Sequence, residues 1–145
     1  MNKLLFLTLM FISGLSHAAN IKSDQYLLGL VGQKSVEIED VSYSYGTPTK
    51  IYYYSPTLLT GFQLQLNKET AEVVWLFNRK EKLTENKKAE QTAIGFTQKL
   101  LGTQSMDLLI KPMKNGQTIK NIQISGVTIK NARCSSTQCM YTVIR

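Results

Sequence analysis

A single stretch of this chain spaces its apolar residues as a helix does, and the segments on either side of it read as strands. At about 100° per residue, Ala89, Ala93, Phe96 and Leu100 fall in a narrow stripe that Thr97, Ile94 and Leu101 widen to one side. Lys87, Lys88, Gln91, Gln98 and Lys99 take the opposite face. The pattern predicts a helix over 85–101, with Thr84 as its N-cap and Gly102 as its stop. A helix that is apolar on one side must lay that side on a second layer, and the strand-like flanks make that layer a sheet.

Before the helix, Gly61 to Leu66 places Phe62, Leu64 and Leu66 on one face and Gln63 and Gln65 on the other, a half-buried strand. Ala71 to Phe77 is apolar at nearly every position, as in a strand covered on both faces, and the polar residues 67–70 join the two as a hairpin. Lys50 to Tyr54 is β-prone and stops before Pro56, with Gly46-Thr47-Pro48 as the preceding turn. Further upstream, Val36 and Ile38 alternate, but Val41, Tyr43 and Tyr45 continue with shifted parity. A bulge at Glu39-Asp40 restores one buried face. Tyr26 to Val31 fits a strand or one helical turn, and Ala19 to Asp24 reads as loose.

After the helix come Met106 to Ile110, the breaker Pro112 and an Asn115-Gly116 turn. Thr118-Ile119-Lys120-Asn121 then recurs as Thr128-Ile129-Lys130-Asn131, and two copies are too few for a solenoid. Ser125-Gly126 suits a two-residue hairpin loop. In that register Ile124 faces Val127 and Ile122 faces Ile129, while Gln123, Thr128, Asn121 and Lys130 share the other face. A last hairpin runs through Cys134 and Cys139 into Met140 to Ile144. The expected fold is α+β, an antiparallel sheet of about six to eight strands packed against one main helix, with 19–145 as one domain.

Met1 to Lys3 carries one positive charge, Leu4 to Leu15 is apolar, and Ser16, His17 and Ala18 follow. This layout predicts a signal peptide over 1–18, cleaved after Ala18. No later stretch approaches the roughly 20 apolar residues of a spanning helix, so no transmembrane segment is expected. The expected location is periplasmic or secreted. Cleavage removes His17, the one histidine of the sequence. A chain without histidine has no Ser-His-Asp or Cys-His machinery and no imidazole zinc site, so no metal and no cofactor are expected. In an oxidising compartment, Cys134 and Cys139, with Ser135 to Gln138 between them, predict a disulfide. So small a ring adds at most ~2 kcal/mol.

Three groups remain as candidates for chemistry. Glu37, Glu39 and Asp40 form the densest carboxylate cluster, which a polar strand edge explains as well as a hydrolase does. Tyr43, Tyr45, Tyr52, Tyr53 and Tyr54 are five of the 7 tyrosines, and strand alternation exposes some of them for recognition. Charge is uneven. Residues 19–98 balance, whereas residues 99–145 hold Lys99, Lys111, Lys114, Lys120, Lys130, Arg133 and Arg145 against Asp107. Lys120, Lys130 and Arg133, with Tyr43, Tyr45, Tyr52 and Tyr54, are the candidate binding residues. No catalytic residue is assigned. The expectation is a non-enzymatic binding or accessory protein of a bacterial envelope: an assembly factor, an immunity protein or an inhibitor. Its expected partner is another envelope or secreted protein, or an anionic envelope component, and not nucleic acid. A fibre subunit is the alternative, followed by a carboxylate-dependent hydrolase.

Overall fold

The computed structural model describes residues 20–57, 60–77, 81 and 83–145. The signal peptide, its cleavage site and His17 lie outside the described residues. The strands are β1 Glu37–Asp40, β2 Thr49–Tyr53, β3 Thr60–Asn67, β4 Thr70–Phe77, β5 Ile119–Ile124, β6 Val127–Cys134 and β7 Gln138–Ile144. They form one antiparallel sheet in the order β1-β2-β3-β4-β7-β6-β5. The α+β expectation holds, with seven strands. Two meanders meet at β4 and β7, and helix α3, Leu83–Leu101, connects them across one face.

The stripe read from the sequence is the buried face of α3: Ala89, Ala93, Phe96, Thr97, Leu100 and Leu101 are buried, and Ile94 packs at its margin. The helix begins at Leu83, so Thr84 sits in its first turn rather than at the cap. Gly102, at φ 86°, ends it as expected. Beneath it the rings of Tyr54, Phe62 and Phe96 stack in series at 5.5 and 5.7 Å. Thr97 Oγ1 donates to Ala93 O at 2.6 Å and lies 2.7 Å from the fully buried Tyr141 Oη, which therefore serves as donor to it.

Several local expectations change. Residues 24–31 form helix α1, Asp24–Val31, because Ser23 Oγ caps Tyr26 N–H and Gly32, at φ 77°, ends it. The segment before it is tied down. Arg145 donates to Ile21 O, Lys22 O, Asn67 O and Asp24, binding this segment to the β3–β4 turn. No bulge rescues the parity of Val36 to Tyr45. Asp40 Oδ1 instead accepts from Ser42 N and Oγ at 3.0 and 2.5 Å, turning the chain into the single-turn helix α2, Ser42–Tyr45. Those two bonds hold the Asp40 carboxyl below its ordinary range. Val36 and Ile38 stay exposed on the edge of the sheet. Pro112 does not break the chain either. It lies in the first turn of α4, Lys111–Lys114, and the π-turn Met106–Ile110 before it, with Lys111 N–H bonded to Met106 O, accommodates a residue without a donor.

The β5–β6 hairpin has the expected register. Ser125 and Gly126 both have positive φ, 52° and 77°, the two-residue turn that matches strand twist. Cys134 and Cys139 are paired across the mouth of the next hairpin and bridged. β4 is the central strand, but among the described residues it is covered on one face only, with Ala71, Val73 and Trp75 buried under the helix and Val74 and Leu76 half-buried on the other side. No helix of the described residues is long and apolar enough to cross a membrane.

Candidate binding face

The side of the sheet away from α3 is the candidate site. Among the described residues no helix lies across it, and only α2 reaches its corner, where Tyr45 Oη donates to Gln65 Oε1 at 3.5 Å. Residues opposite one another in a ladder share a face. One such row runs Glu39, Ile51, Gln65, Glu72, Thr142, Lys130. The next runs Glu37, Tyr53, Gln63, Val74, Met140, Arg133. Each row begins at a carboxylate on edge strand β1 and ends at a cation on β6; half-buried Val74 and Met140 lie between them in the second row, whereas the first carries Gln65, Glu72 and Thr142 across its middle.

Strict alternation would put Lys130 and Arg133, three apart, on opposite faces. A bulge at Asn131, whose φ is 55°, brings both to this face. The ribbon bends there. Ile119 and Ile122 both pack on the core, as do Ala132 and Ile129 opposite them, leaving Lys120-Asn121 and Lys130-Asn131 exposed at the bend. The repeated four-residue motif is thus a hairpin reflection in which Asn121 faces Lys130. This arrangement keeps the two lysines from being directly opposed.

The C-terminal cations separate into two groups. Lys99 donates to Leu30 O, Lys111 pairs with Asp107, Lys114 with Glu90 and Arg145 with Asp24. Three of these, Lys99, Lys111 and Lys114, belong to helices, so the basic excess is not confined to the hairpins. Lys120, Lys130 and Arg133 make no ion pair among the described residues. No family model, curated protein or solved structure matches the chain.

The tyrosine cluster is divided. Tyr43 and Tyr45 are exposed on α2. Tyr52 and Tyr54 point to the helix side and are nearly buried, lining with Leu28 and Ile38 a cleft of about 400 Å³ between α1 and β1. Tyr53 lies on the open face, and its hydroxyl donates to Glu39 Oε2 at 2.6 Å. Burial, and then that carboxylate acceptor, push the Tyr53 phenol up to about 12. Val74, Leu76 and Met140 belong to the site but carried no signal of it in the sequence, because an apolar residue in a strand reads as core whichever face it occupies.

Proposed function

We propose that this is a small exported envelope protein with a non-enzymatic binding or accessory role, acting through the open sheet face and its basic β5–β6 end. The observation that carries this reading is the cation set: among the described residues Lys120, Lys130 and Arg133 make no ion pair, and Arg133 ends the row of half-buried Val74 and Met140, while the other C-terminal cations are occupied within the fold. Half-buried apolar residues set among polar and charged ones are the anatomy of a protein-binding patch. The fitting partner presents carboxylates at the rim of an apolar surface. The triple variant Lys120→Gln, Lys130→Gln, Arg133→Gln tests this against a partner captured from envelope extract by cross-linking and then purified. Its affinity should fall at least tenfold, roughly 1.4 kcal/mol, mainly through slower association, and become less salt-sensitive. Unchanged affinity for the purified partner refutes the reading. A fibre subunit is the second reading, favoured by the edges of β1 and β5, which pair with no further strand among the described residues.

A further inference from the structure

We infer that the occupant of the open face is a second copy of this chain, packed face to face about a two-fold axis that lies parallel to the strands. The inference rests on the proposal that this face is the binding surface, and it names the partner.

Glu37 and Glu39 stand at the β1 end of the face, and Lys130 and Arg133 stand near its β5 end. A two-fold axis parallel to the strands exchanges these ends, so the carboxylates of each copy lie over the cations of the other, twice per dimer. An in-plane axis perpendicular to the strands sets β1 over β1 and β6 over β6, opposing like charges at both ends. Sheets packed face to face keep their strands within about 30° of one another, and the favoured axis satisfies that condition. With β1 over β6 the axis runs between β3 and β4, so Tyr53 of each copy lies over Met140 of the other and Gln63 over Val74, while Glu72, also on this face, lies over Gln65 rather than over its own copy.

Area sets the strength. Seven strands span about 29 Å across the ladders, and the paired segments run about 20 Å along them. The face therefore offers roughly 600 Å² per protomer, below the ~800 Å² of a standard stable interface. This is the size of a reversible dimer rather than an obligate one.

Sedimentation of the purified, disulfide-intact protein over a concentration series tests the inference. The expected result is a monomer–dimer equilibrium centred in the micromolar range, weakening as salt rises. Glu37→Lys with Glu39→Lys should abolish it, as should Lys130→Glu with Arg133→Glu, and mixing the two variants should restore a one-to-one dimer. Single Glu37→Lys, which leaves the Tyr53–Glu39 bond in place, serves if the double variant does not fold, and should weaken the dimer at least threefold. A wild-type chain that stays monomeric overturns self-association while leaving the binding face intact if the envelope partner is still captured. Open-ended polymers also overturn it, since they report pairing of β1 and β5 edges, which does not close.

Discussion

On the helix side of the sheet the row through Leu64, Val73 and Tyr141 is completely buried, whereas one pleat away the row through Gln63, Val74 and Met140 is only half-buried. Both rows use the same strands and the same backbone ladders. They differ in what lies above them. Under α3 a side chain is surrounded, so every methyl group counts toward stability. On the open face the same kinds of residue keep part of their surface uncovered among the described residues. Neighbouring residues of a single strand thus meet different surroundings, Val73 under the helix and Val74 on the open face.

The sharpest way to break this comparison is to remove equivalent bulk from each face. Leu64→Ala should cost about 3 kcal/mol, since a fully buried leucine leaves a cavity. Val74→Ala should cost about 1 kcal/mol or less, read as a shift of urea midpoint at constant slope. Equal losses would mean that the open face is as well packed as the covered one. A smaller effect concerns the buried polar pair. Thr97→Val strands the Tyr141 hydroxyl without a partner and should cost about 2 kcal/mol. Tyr141→Phe leaves Thr97 bonded to Ala93 and should cost about 1 kcal/mol.

Alkaline pH separates the faces more gently. The phenols of Tyr53 and Tyr54 are raised from 10.0 to about 12, in each case chiefly by burial. The unfolded chain therefore loses these protons first. The stability they contribute is fully present below pH 10 and is lost as pH rises through about 12. Unfolding midpoints should fall across that window, and Tyr54→Phe should make the fall shallower. A flat profile would contradict the burial of these rings. The smallest change should come from Tyr53→Phe, which removes one hydrogen bond at the rim of the open face. About 1 kcal/mol or less is expected from thermal denaturation.

Local regularities were legible. The α3 stripe needs only helical spacing, and the β5–β6 register needs only Ser125-Gly126 between apolar pairs. The cysteine pair needs only proximity and an oxidising compartment. What failed were places where a local polar bond outweighed an alternating pattern. Asp40 turned a promising strand into α2, Ser23 and Gly32 made α1 of an ambiguous run, and a π-turn carried the helix through Pro112. The reading of β4 failed for another reason. Its residues are largely apolar on both sides, and composition does not reveal that among the described residues a helix covers only one of them.

The candidate site shows the same division. The charged residues at its two ends were visible in the chain, as a carboxylate cluster and a basic excess, whereas Glu72 in its middle was not singled out. By itself the sequence determined the strands, the helix, the tight hairpin and the bridge, because each depends on residues a few positions apart. The tertiary structure alone decided that β7 returns beside β4. That long-range pairing sets Glu37 and Glu39 at one end of the open face and Lys130 and Arg133 at the other. A charge pattern of this kind depends on which strands become neighbours, and no short-range spacing encodes it.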